Sequence, residues 1–199
     1  MPNSLDIPAY FPATLTRAAR RISLEKGEAL FRAGQKVSGI YYVISGEVKA
    51  LRHMAKSSEA VMVRAMAGEF FAESAIAAPR YSCDGVAVKP SELLFLPMEA
   101  LDTALTDAGF AKAFFLANAA NARRQCSRYE RVRLRSARDR VLHLLACESG
   151  PDGVFNWPAP LTELAVELAL EPETLYRVLA ELEASGEITR EKRQFKQRS

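Results

Sequence analysis

The stretch "LTELAVELALEPETLYRVLAELEASGEI", Leu161 to Ile188, restricts the fold more than any other part of the chain. It reads as two helical segments separated by "ALEP", with Pro172 at the first position of the second, where a missing N–H is tolerated. Ala165 is the small residue where the helices meet, and Leu164, Leu168, Leu175, Val178, Leu179 and Leu182 are spaced to face one core. A tight turn, a small contact residue and a proline in that position agree on a helix-turn-helix. An antiparallel helical hairpin is the alternative.

Upstream the pattern is different. From Ile22 to about Leu96 the chain shows short alternating apolar runs punctuated by Gly27, Gly34, Gly39, Gly46 and Gly68. In "GIYYVISGEVKAL", two β-rich runs flank Ser45-Gly46, with Val48 and Ala50 expected inward and Glu47 and Lys49 outward. Many short strands with such turn signals predict a barrel or sandwich. Pro97 fits the first turn of a short helix, and after Gly109 the period becomes that of a long one. Along it Phe115, Ala119, Ala122, Cys126 and Tyr129 form a heptad seam with small residues at its middle, as two helices in close contact require. A parallel dimer helix is the preferred reading, and a helix lying on its own β domain the alternative. A further helix begins around Ser136 and ends near Gly150. The expected architecture is α+β: an N-terminal β domain in residues 1–107, a dimerisation helix in 108–135 and a helix-turn-helix domain in 136–199, closed by an abbreviated wing.

Charge divides the chain in the same way. Residues 1–107 carry 12 basic and 12 acidic side chains, so the whole net charge of +3 lies in residues 108–199. From Val141 to Thr189 nine acidic residues face one cation, Arg177. Nucleic-acid affinity rests on neutralised phosphates. The arginines at 123, 124, 128, 131, 133, 135, 138 and 140, with the basic end from Arg190 to Arg198, are therefore expected to compensate. The wing segment "ITREKRQFKQRS" has no Gly for a tight hairpin, and partial order is expected. No apolar run approaches the ~18 residues of a membrane span, and the N-terminus lacks signal-peptide order, so a cytoplasmic protein without membrane contact is expected. Cys83, Cys126 and Cys147 fit neither a disulfide framework nor a metal knuckle, and no metal is expected. No nucleophile–base pairing and no phosphate loop opening a helix are found, so the chain does not read as an enzyme.

Taken in order, "KGEALFRAGQ", "IYYVISGEVKAL", "GEFFAES" and "EPETLYRVLAELEASGEI" resemble the Crp/Fnr superfamily of bacterial transcription regulators, whose sensor is a cyclic-nucleotide-binding-like β-roll, a double-stranded β-helix. The resemblance implies a homodimer on double-stranded DNA, with a small-molecule effector and RNA polymerase as a further partner to be considered. It places Glu173 and Arg177 on base edges, with Thr174 and Tyr176 near phosphates. It also places an effector pocket at Phe70, Ala72, Glu73, Tyr81 and Ser82. Glu73 and Ser82 match the ribose and phosphate positions, but Ala72 stands for a glycine and Tyr81 for the phosphate arginine, so cyclic AMP is not expected. Arg80 is one residue early and, in a strand, would point to the other face. "FAES…YS" with "PETLYR" is similar to the Dnr branch, which responds to nitric oxide through haem. The cofactor is left open, with His53, Cys83 and Pro2 as candidate haem ligands; an iron–sulfur cluster is not expected, since no Cys precedes Cys83. A ligand-binding or protein-interaction module that has lost DNA binding is the competing reading.

Overall fold

The structure, a computed structural model, describes residues 7–53 and 59–198. It divides into two compact units, 1–118 and 119–199, and the division falls inside one long helix.

The first unit holds a short helix α1 (Ala13–Ala18) and eight strands: β1 (Arg20–Leu24), β2 (Ala29–Phe31), β3 (Gly39–Ser45), β4 (Glu47–His53), β5 (Glu59–Met66), β6 (Phe70–Phe71), β7 (Asp84–Ala87) and β8 (Ser91–Pro97). They form two antiparallel four-stranded sheets, ordered β1-β8-β3-β6 and β2-β7-β4-β5. Helices α2 (Met98–Ala104) and α3 (Ala108–Arg133) follow.

Strand alternation gives the first sheet two apolar faces. Tyr41 and Val43 of β3, Phe71 of β6 and Leu93 of β8 join Phe31, Val48 and Ala50 of the second sheet in one core. Their neighbours Ile40, Tyr42, Phe70, Leu94 and Leu96 point the opposite way, onto Phe11, Leu15, Leu101, Phe110 and Phe114 of the helical layer. The turn between β3 and β4 needs glycine twice over. Gly46 has φ +90°, and a Cβ there would lie 2.2 Å from Ser91 Oγ. Val48 and Ala50 are buried as expected, but Glu47 is also buried, at 3% exposure. Arg64 of the neighbouring strand reaches across it and donates from Nη1 to Glu47 Oε1 at 2.7 Å.

The second unit contains the remainder of α3, then α4 (Ala137–Glu148), β9 (Val154–Asn156), α5 (Leu161–Glu167), α6 (Pro172–Ala184), β10 (Ile188–Glu191) and β11 (Gln194–Gln197). Ser136 caps α4 by accepting from the Asp139 amide at 2.9 Å. All six leucine and valine positions expected to face the core are buried, and Ala165 is fully buried at their centre. The wing segment forms a hairpin although it has no glycine for the turn. Lys192 adopts φ +54° in the place of a turn glycine, and β9 pairs with β11 to make a three-stranded sheet anchored by buried Phe155 and Phe195.

The turn between α5 and α6 closes as a Schellman motif. The Leu170 amide donates to Ala165 O at 2.8 Å and the Ala169 amide to Val166 O at 3.1 Å. Ala169 fills the left-handed slot, φ +51°, that usually holds glycine. That conformation costs an L-residue about 1–2 kcal/mol, partly offset by its smaller unfolded-state entropy. Ala169→Gly is therefore expected to raise stability by about 1 kcal/mol. A raised urea midpoint checks this, and an unchanged or lowered one contradicts the strain.

Candidate functional site

Beyond β6 the backbone turns sharply. Ala72 sits at φ 67°, ψ 19°, in the left-handed region, and starts a short 3-10 turn, Glu73–Ala75. This turn and residues 78–83 border a cavity of about 90 Å³ whose floor is Phe31, Phe71 and Tyr81. Of the five residues expected to form a pocket, Ala72, Glu73, Tyr81 and Ser82 line it and Phe70 does not. The discrepancy is one of phase. Consecutive strand residues face opposite ways, so Phe71 enters the cavity and Phe70 stacks on Phe11 in the helical layer.

Tyr81, which stands where the resemblance leads one to expect an arginine, is buried. Its ring stacks on Phe31 with centroids 3.9 Å apart, and its hydroxyl donates to Gly39 O at 2.9 Å. Burial, and then the neighbouring Tyr41, push its pKa well above the usual phenol range, so it stays neutral. Arg80 does line the cavity, against expectation, because residues 81–83 are not strand and alternation does not govern them. Its Nη1 donates to Gly34 O at 2.7 Å. A second guanidinium, absent from the sequence reading, comes from β4: Arg52 Nη2 lies 3.4 Å from Ser82 Oγ. The pairing of β4 with β7, which places Leu51 opposite Asp84, is the signal that locates it.

The cavity is small for an organic ligand. Small-molecule pockets run from about 300 Å³ upward. The floor is instead closed by the Phe31–Tyr81 stack. Among the candidate haem ligands, Cys83 borders the cavity and His53 does not; Pro2 lies outside the described residues. His53 is exposed on β4, with Nε2 3.4 Å from Asp84 Oδ2. Among the described residues no group of three His, Cys, Asp or Glu side chains could hold a metal ion, and no helix is long and apolar enough to cross a membrane.

The opposite end of the chain presents a second surface. Glu173 and Arg177 lie four residues apart on α6, both exposed, while Leu175, Val178 and Leu179 fill the core beneath. Tyr176 is 45% exposed and Thr174 half-buried. Arg177 Nη1 donates to Glu181 Oε1 at 2.9 Å, an exposed pair that a ligand can displace at little cost.

Several arginines expected to reach phosphates are engaged by groups of the chain itself, some of them buried. Arg131 is fully buried and pairs with Glu148, and with Glu167 at 3.9 Å; Arg128 meets Glu167 at 3.0 Å. Arg138 pairs with Glu187. Arg140 donates to the carbonyls of Leu168 and Ala169 at 3.1 and 2.8 Å, capping the end of α5. Arg133 sits over the Tyr129 ring at 5.4 Å. Three acidic residues of the helix-turn-helix domain, Glu148, Glu167 and Glu187, are thus partners of the arginine-rich segment.

The fold is a β-roll followed by a long helix and a winged helix-turn-helix, the architecture of the Crp/Fnr regulators. The cyclic nucleotide-binding domain family matches residues 21–107. FixK2 from Bradyrhizobium japonicum is similar at 20% identity, over 91% of this chain and 93% of that one, with a TM-score of 0.70. A CooA mutant from Carboxydothermus hydrogenoformans gives 14% identity over 92% and 85%, with a TM-score of 0.74. TTHB099 from Thermus thermophilus, a transcriptional regulator of the CRP family, gives 20% over 88% and 91%, with a TM-score of 0.61. No curated protein matches.

Asp84 of β7 is a structural carboxylate beside the cavity. Hydrogen bonds from the Ala33 amide at 2.7 Å and from Arg32 Nη1 at 2.8 Å hold its pKa below the usual carboxylate range. A depressed folded-state pKa stabilises fully above the unfolded-state value, and this contribution is lost as pH falls through the folded one. Asp84→Asn is expected to lower stability at neutral pH and to flatten its decline below about pH 4. Urea midpoints at pH 7 and pH 3 check this; an equal loss at both contradicts it.

Proposed function

We propose that the chain is a homodimeric DNA-binding transcription regulator of the Crp/Fnr type, acting in the cytoplasm and responding to an effector other than a cyclic nucleotide. The observation that carries the reading is the exposed Glu173–Arg177 pair in the N-terminal half of a helix whose other face is wholly buried. A carboxylate accepting from a cytosine amino group and a guanidinium donating to guanine O6 and N7 read a major-groove edge. Tyr176 and Thr174 stand beside them with hydroxyls for phosphates. The wing adds exposed Lys192 and Lys196.

Dimerisation is supported by one face of α3. Phe115, Ala119, Ala122, Cys126 and Tyr129 are all exposed in the single chain, and Leu116 and Val132 extend the same apolar stripe. A second copy of that stripe covers it with small residues at the point of closest approach. Two recognition helices then address half-sites about one helical turn apart. The named relative TTHB099 is itself a transcriptional regulator, which supports the class but not an operator. RNA polymerase enters as the partner through which such a protein would act.

A second reading, a module that has lost specific DNA binding, draws on the arginines occupied by the chain's own glutamates. Fluorescence anisotropy on a duplex selected from random sequence separates the two. The intact protein is expected to prefer the selected duplex over a scrambled one. Arg177→Ala is expected to lose about 1–3 kcal/mol of that preference while retaining weak, sequence-independent binding. Failure of the intact protein to bind any duplex at low salt favours the module, and an undiminished preference in the variant removes Arg177 from base reading.

A further inference from the structure

The chain's two histidines differ in surroundings. His143 of α4 lies one helical turn before Cys147, whose Sγ is 3.7 Å from Nδ1 and 3.8 Å from Nε2. The α3 residue Glu130 places Oε2 3.4 Å from His143 Nε2. The thiol is exposed, the imidazole is mostly covered at 22%, and the carboxylate is open to solvent. A nucleophile within reach of a base, with the base held by a third group, is the arrangement that activates a side chain toward electrophiles. The histidine–cysteine spacing of four in "HLLAC" is visible in the sequence; the carboxylate, brought by another helix, is not.

We propose that Cys147 is a reactive thiol activated by His143 and Glu130, and that it exchanges with low-molecular-weight disulfides. The Sγ–H proton passes to the imidazole as sulfur attacks one sulfur of the disulfide. A new S–S bond forms to Cys147, the disulfide's own S–S bond breaks, and the departing thiolate takes up a proton. The protein thiol is oxidised to the disulfide level and one half of the reagent is reduced to a thiol. The surroundings suit such a site better than those of Cys126, which has no imidazole beside it among the described contacts and sits on the apolar stripe of α3. Cys83 is half-buried at the sensor cavity. Modification at Cys147 would fall next to Glu148, the partner of buried Arg131, and so at the junction of α3 with the helix-turn-helix domain.

The test uses the full chain with Cys83 and Cys126 changed to Ser, and dithiodipyridine as the probe, one thiopyridone being released per thiol attacked. At pH 7 the folded chain is expected to react about tenfold faster than the same chain unfolded in urea, a modest share of what a positioned base supplies. An ordinary exposed thiol reacts no faster folded than unfolded, so equal or slower reaction of the folded chain overturns the proposal without any change at His143. His143→Gln is expected to remove the excess rate, and Glu130→Gln to reduce it. A rate excess that survives His143→Gln also overturns it. Oxidised glutathione in place of the probe is expected to leave a mixed disulfide on Cys147, read by mass spectrometry.

Discussion

Arg131 has no exposed surface, and a guanidinium in that position is tolerable only because Glu148 and Glu167 neutralise it. Breaking a buried pair of this kind by removing one partner costs about 3–5 kcal/mol. Arg128 on the same helix shares Glu167, and Arg140 holds the carbonyls that end α5. Two of the guanidinium's nitrogens, Nε and Nη1, lack a hydrogen-bond partner among the described residues, so the site is held by charge more than by complete hydrogen bonding. This cluster fixes the second half of α3 to α4 and α5.

The same cluster explains a composition that looks unsuited to DNA. A helix-turn-helix domain with Arg177 as its one cation between Val141 and Thr189 would be repelled by a duplex if its carboxylates all faced outward. Glu148, Glu167 and Glu187 do not act as free charges, because arginines from α3 and the start of α4 meet them. Glu183 is likewise met by Arg190 of the wing at 3.4 Å. The domain's acidity is largely answered within the protein. On the proposed reading, its face for DNA reduces to the start of α6 and the wing.

Much of this is legible from residue order. The helix-turn-helix, its buried leucines, the start of α4 at Ser136 and Pro172 at the first position of α6 all follow from local periodicity and turn chemistry. Phe70, which the resemblance assigns to the pocket, faces the helical layer, and a two-residue strand offers too short a run to read that phase from sequence. Glu47 reads as an outward residue because the arginine that covers it comes from the next strand, out of register with any local pattern. Strand alternation misplaces Arg80 because the segment after it is a loop. A left-handed Lys192 cannot be foreseen from sequence, whereas a glycine can, and the wing's hairpin is hidden for that reason. The engagement of the arginines by the chain's own groups, the Arg52–Ser82 contact and the Glu130–His143–Cys147 alignment depend on tertiary pairing. They leave little trace in spacing.

Retention of the α3 arginines by the protein can be read directly from the salt dependence of DNA binding. Each phosphate neutralised adds about 0.9 to the slope of log K against log salt. With Arg177, Lys192, Arg193, Lys196 and Arg198 as the exposed cations that the recognition helix and wing of each of two copies offer, the slope is predicted to be no steeper than about −9. A slope of about −12 or steeper would mean that the arginines engaged by the chain's own glutamates also reach the duplex, and would contradict the account.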